Sequence, residues 1–136
     1  MKSSKILISL LVIVGVVLLS ACSSNVTRDS LKVDKALIGH WVNANGSPDY
    51  YFSETILTKV EKDGTKTEMT YVVLKSNDNE NTITIRVSNP AGTVVDEDIR
   101  DIKYSTDKKT LTETVSILGI KYSEDNYSYV DNKPKP

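Results

Sequence analysis

Over residues 37–130 the apolar side chains of this chain recur at every second position in short runs, and each run stops at Gly, Asn, Asp or Pro. A period of two belongs to a pleated strand with one face buried, whereas a helix repeats every 3.6 residues. Residues 81–89 show it most clearly: Ile83, Ile85 and Val87 face one way, and Thr82, Thr84, Arg86 and Ser88 the other. Residues 68–75 oppose Met69, Tyr71 and Val73 to Thr70, Val72 and Leu74. Residues 109–117 align Leu111, Val115 and Ile117 with Thr and Glu between them. Residues 120–130 put Ile120 and Tyr122 on one side, then Tyr127 and Tyr129 after an acidic interruption.

The breaks are as legible as the runs. Lys62-Asp63-Gly64-Thr65 is a hairpin signal, because Asp-Gly tolerates the positive φ of a tight turn. Asn45-Gly46-Ser47-Pro48, Ser76-Asn77-Asp78-Asn79, Asn89-Pro90-Ala91-Gly92, Ser105-Thr106-Asp107-Lys108 and Leu118-Gly119 mark five more. The expected fold is all-β, with about eight short strands. Short connections throughout favour an up-and-down meander closed into a small antiparallel barrel over a Greek-key sandwich, which needs long crossings.

The segment ahead of the strands is of another kind. Lys2 and Lys5 precede an almost wholly apolar run, residues 6–19, interrupted only by Ser9 and Gly15. That run is shorter than the ~17–25 residues of a permanent bilayer helix and reads as the core of a signal peptide. Leu19-Ser20-Ala21-Cys22 resembles the lipobox of bacterial lipoproteins. The resemblance implies diacylglycerol on Cys22, cleavage after Ala21, and a protein held by lipid on the outer face of a cell membrane, or on an outer membrane in a Gram-negative host. Two or more acyl chains anchor firmly, at about 0.8 kcal/mol per buried methylene. The expected organisation is therefore a removed peptide, residues 1–21; a lipidated cysteine and flexible linker, 22–36; a barrel, 37–130; and a polar tail, 131–136. Within the linker, residues 31–37 have the makings of a helical turn started by Asp29 or Ser30.

Cys22 is the chain's one cysteine, so an exported domain of this size must hold together without disulfides. Removal of residues 1–21 leaves 15 basic against 18 acidic residues. That balance supplies no basic patch for nucleic acid.

The first strand begins Leu37-Ile38-Gly39-His40-Trp41. A Gly-x-Trp on the opening strand of a meander resembles the lipocalin-like (calycin) pattern, and the resemblance extends over about residues 37–130. It implies that Trp41 packs across the barrel floor, that Gly39 admits a close chain crossing, and that a small apolar or amphipathic ligand binds in the barrel or at its mouth. The family usually stacks an arginine from near the last strand over the tryptophan; here that region offers only Lys121 and Lys133.

Little in the chain points to catalysis. Lipid consumes the thiol, and His40 is the sole histidine, which excludes multi-histidine metal sites. Alternation turns His40 away from Trp41. The acidic stretch Asp96-Glu97-Asp98, with Asp101 beyond, lacks the glycine and spacing of a calcium loop, and Arg100 and Lys103 lie close enough to neutralise it. No metal and no cofactor is expected, and no enzyme. The candidate ligand contacts are Trp41, Tyr71, Tyr104 and Tyr122, since tyrosine joins an apolar body to a polar tip. Two kinds of partner compete besides the membrane: a small ligand in the barrel, as the resemblance implies, or another protein on its surface, as for a lysozyme inhibitor, immunity or envelope-associated lipoprotein. Interior volume discriminates between them, because an eight-stranded barrel is just wide enough to be filled by its own side chains or to hold one small ligand.

Overall fold

The structure, a computed structural model, describes residues 26–88 and 98–136. The strands are β1 (Gly39–Asn43), β2 (Asp49–Phe52), β3 (Ile56–Val60), β4 (Lys66–Asn77), β5 (Thr82–Ser88), β6 (Asp98–Tyr104), β7 (Thr110–Ile117) and β8 (Ile120–Asp131). Each pairs antiparallel with the next, and β8 returns to β1, closing an up-and-down barrel. Closure supplies each strand with neighbours on both sides, so the backbone donors and acceptors of a free edge are largely used up.

Alternation sorts the side chains as the sequence suggests. Trp41 and Asn43 of β1, Tyr50 and Phe52 of β2, Ile83, Ile85 and Val87 of β5, Ile102 and Tyr104 of β6, Leu111 of β7 and Tyr127 of β8 all point inward and are buried. The Leu118-Gly119 turn has positive φ at both residues (52° and 75°), as a two-residue hairpin requires. Gly64 (φ 85°) serves the β3–β4 turn, where the Thr65 N–H also donates to Asp63 Oδ1. The expected turn at Asn89–Gly92 lies outside the described residues. The β2–β3 connection carries no Gly, Pro or Asn and escapes a sequence reading. There the Ser53 hydroxyl and the Ile56 backbone exchange hydrogen bonds instead.

Gly39 has a packing reason. A Cβ there would lie 2.5 Å from the carbonyl oxygen of Asp131 and 2.9 Å from the Tyr129 ring, and its φ is +131°. Only glycine lets the first strand pass the last so closely.

The linker expected to run to Ala36 is not a linker throughout. A 3-10 turn at Arg28–Ser30 is followed by the helical turn α1 (Val33–Leu37), and the folded unit begins about ten residues before the boundary drawn at Leu37. Val33, Ala36 and Leu37 are fully buried and join the barrel core. They share one face at i, i+3 and i+4, enough for a one-turn helix to seal one barrel end although the segment as a whole is polar. Neither Asp29 nor Ser30 caps this helix. Its first N–H, that of Val33, donates to Asp78 Oδ1 at the β4–β5 hairpin.

Candidate functional site

The barrel interior is the first place to look for a ligand, and at the α1 end it is packed shut. Trp41 is fully buried, donates its indole N–H to the Leu37 carbonyl at 2.8 Å, and meets Tyr104 and Tyr129 at 6.0 and 5.5 Å between ring centroids. An arginine does stack here, but it arrives from the N-terminal side. The Arg28 guanidinium lies 3.4 Å from the Tyr129 ring centroid and 4.8 Å from that of Trp41. Arg28 donates from Nε to the Lys108 carbonyl at 2.6 Å and from Nη2 to the Ala36 carbonyl, while Lys108 Nζ returns a bond to the Asp29 carbonyl. The place that Lys121 and Lys133 cannot fill is taken by a residue read as linker.

Further along the interior is a polar crossbar. Arg100 on β6 is 6% exposed and donates from Nη1 to Glu113 Oε1 on neighbouring β7 (3.0 Å) and to the Tyr50 hydroxyl on β2 (3.1 Å). Since β2 and β6 stand on opposite walls, this second bond spans the lumen. Nε and Nη2 clamp the Asp98 carboxylate in two-pronged fashion. Tyr50 stacks on Tyr127 at 4.8 Å, beside buried Asn43. Glu113 stands two residues from Leu111 and two from Val115, so alternation sets it on their inward face.

The electrostatics follow from one cation facing two carboxylates. Burial favours loss of the Arg100 proton, but Glu113 and Asp98 outweigh it and hold the guanidinium firmly charged. For Glu113 burial dominates over the attraction of Arg100 and raises its proton affinity, helped by repulsion from Asp98 and Asp125. Its second oxygen, Oε2, is buried without a hydrogen-bond partner. A carboxyl whose folded pKa is raised contributes stability fully present below the unfolded value of 4.5 and lost as pH rises through the folded value. Glu113→Gln keeps an acceptor for Arg100 and cannot ionise. Measured against that variant, wild-type stability is expected to fall steadily as pH rises above 4.5; a flat difference between the two denaturation series contradicts this.

The residues singled out from sequence do not meet in one pocket. Trp41 and Tyr104 touch within the sealed end, and the Tyr104 hydroxyl, its pKa raised by burial, has no hydrogen-bond partner. Tyr71 packs edge-on against Phe52, donates to the Ser53 carbonyl, and is pushed up to about 12 by burial. Tyr122 is outside the barrel, 77% exposed beside Leu118 and Ile120 at the β7–β8 hairpin tip. His40 faces outward as expected, stacked on Tyr51 at 4.1 Å and 3.2 Å from Asp49. Asp98 pairs with Arg100, and Asp101 accepts from Thr84, while Asp96 and Glu97 lie outside the described residues. So does Cys22. Among the described residues no group of His, Cys, Asp and Glu is arranged to hold a metal ion.

A depression of about 470 Å³ lies on the outer wall, lined by Lys75, Thr84, Asp101, Lys103, Thr114 and Glu124 among others. Most of these are the outward-facing members of their strands, so the depression is on the barrel's surface and not within it. No protein-family model, curated protein or solved structure matches the chain.

Proposed function

We propose that this chain is a lipid-anchored, extracytoplasmic protein without enzymatic activity that works by binding another protein on the outer surface of its barrel. The observation that carries the reading is the occupied lumen. α1 closes one end, and the Glu113–Arg100–Tyr50 bonds cross the space between opposite walls. The four N–H groups of Arg100 involved are already engaged, which leaves little for the carboxylate of an amphipathic ligand. The solvent-exposed surface, in contrast, carries large apolar side chains: Val72, Val73 and Leu74 on β4, and Leu118, Ile120 and Tyr122 at the hairpin. Apolar surface of this kind is what a protein contact buries. The unpartnered Oε2 of Glu113 favours a second reading, a small hydrogen-bond donor or cation taken up at the inner face of the barrel.

Anchoring rests on the Leu19-Ser20-Ala21-Cys22 sequence. Cys22→Ser is expected to release the protein from membranes; unchanged membrane association counts against lipid attachment. Native mass spectrometry of the full chain extracted from its host distinguishes the two binding readings. A chain free of adducts, with a co-isolated protein in fixed proportion, is the expected result. A recurring small-molecule adduct contradicts it.

A further inference from the structure

We infer that the outer edge of β4, from Val72 to Asn77, is a strand-addition site that takes an extended, alternately apolar segment of a partner protein carrying a carboxylate opposite Lys75; this rests on the protein-binding reading above. The barrel is closed, but its strands are unequal. β4 runs for 12 residues, and its pairing with β3 ends at Ile56 opposite Thr70. The last strand-to-strand backbone bond on that side is the one from the Tyr71 N–H to the Thr55 carbonyl, while α1 approaches the far end of β4, where the Val33 N–H is bonded to Asp78. Beyond it β4 continues to Asn77, paired with β5 on one side, and among the described residues no strand pairs with it on the other.

The direction of the free groups follows from alternation. The Tyr71 N–H points toward β3, so that of Val72 points toward β5 and that of Val73 toward the open edge. Unpaired strand donors and acceptors are satisfied by another extended chain, with backbone bonds giving affinity and side chains giving choice. Protected edges commonly carry lysine, a bulge, inward charges, proline or a covering loop, and of these the edge has Lys75 and the bulge between Val73 and Lys75. This one shows Val72, Val73 and Leu74, 45–49% exposed in sequence. A register shift between Val73 and Lys75 places the bulge within the same stretch. Lys75 is exposed and makes no ion pair with a described carboxylate, so a strand laid along this edge meets one positive charge among apolar side chains. The complement is an apolar strand with a carboxylate at that position, because opposite charges across strands attract and like charges repel.

The test uses the full-length chain in its host, with a photo-reactive amino acid at Leu74 or, as control on the far wall, at Ser128. The expected result is cross-linking at position 74 to a protein segment that has a carboxylate within two residues of the linked site. Val73→Pro deletes the edge N–H without touching the β4–β5 ladder, and Lys75→Glu reverses the charge on an exposed side chain. Each is expected to reduce the cross-link about tenfold while thermal unfolding of the barrel is unchanged. If proline unfolds the chain, the charge reversal decides alone. A cross-link at 74 that survives the variants, or one made only to lipid or to a second copy of this chain, overturns the assignment. Cross-linking to a protein at Ser128 and not at 74 also overturns it, yet leaves the protein-binding reading standing. An absence of protein cross-links at both positions overturns it too, and the extraction experiment then decides whether that reading falls with it.

Discussion

Arg28→Ala is expected to destabilise the barrel by about 3 kcal/mol, a large share of the total for a domain of this size. The guanidinium contributes a half-buried cation over the Tyr129 and Trp41 rings, and two bonds to the carbonyls of Lys108 and Ala36. Removal leaves those carbonyls short of a partner and takes away the clamp that joins the N-terminal segment to the β6–β7 turn. Chemical denaturation followed by circular dichroism reads the effect. Arg28→Lys should recover only part, because an ammonium cannot lie flat on a ring while donating in two directions. A loss under about 1 kcal/mol would mean that α1 seals the barrel through Val33, Ala36 and Leu37 alone.

Arg100→Met is expected to cost about 3–5 kcal/mol at neutral pH, since it strands Glu113, 1% exposed, without its counter-charge. Asp98 suffers less, for its side chain is 30% exposed and water can take over. The penalty should shrink as pH falls, because a Glu113 already predisposed to hold its proton becomes neutral. Adding Glu113→Leu to Arg100→Met should restore most of the lost stability, as replacement of a whole buried ion pair by apolar groups often does. A double variant no more stable than Arg100→Met would show that the crossbar does more than neutralise one carboxylate.

Much of the architecture was legible because strands leave a local signature. The inward set Ile83, Ile85 and Val87 and the paired positive-φ residues of the Leu118-Gly119 turn follow from period and turn chemistry within a few residues. What escaped depends on partners distant along the chain. Arg28 reads as one more polar residue in a polar segment until the Lys108 carbonyl, 80 positions on, comes beside it. Glu113 falls on the inward face by alternation, yet glutamate in a strand is usually exposed, and only Arg100 across the β6–β7 pairing makes its burial tolerable. The chain has three arginines, and two of them are enclosed by the fold, Arg28 half-buried at the α1 end and Arg100 within the barrel. Their planar, always-charged forks suit enclosed pairing better than lysine does.

The same distance dependence explains the candidate ligand residues. Trp41 stands out by the Gly-x-Trp resemblance, and Tyr71 and Tyr104 by an apolar body with a polar tip; core anchors and pocket walls share those features, and side-chain packing decides between the roles. Tyr122 lies on β8 beyond its pairing with β1 and next to the β7 turn at Ile117, and among the described residues its ring is left 77% exposed.

Trp41 offers the most direct check on the occupied lumen, because it is the chain's only tryptophan and is fully buried at the barrel floor. Its fluorescence should be blue-shifted, resistant to iodide, and unchanged as fatty acids, retinoids and haem-like compounds are titrated in. Saturable quenching by any of these would show a cavity against Trp41 and return the function to the barrel interior.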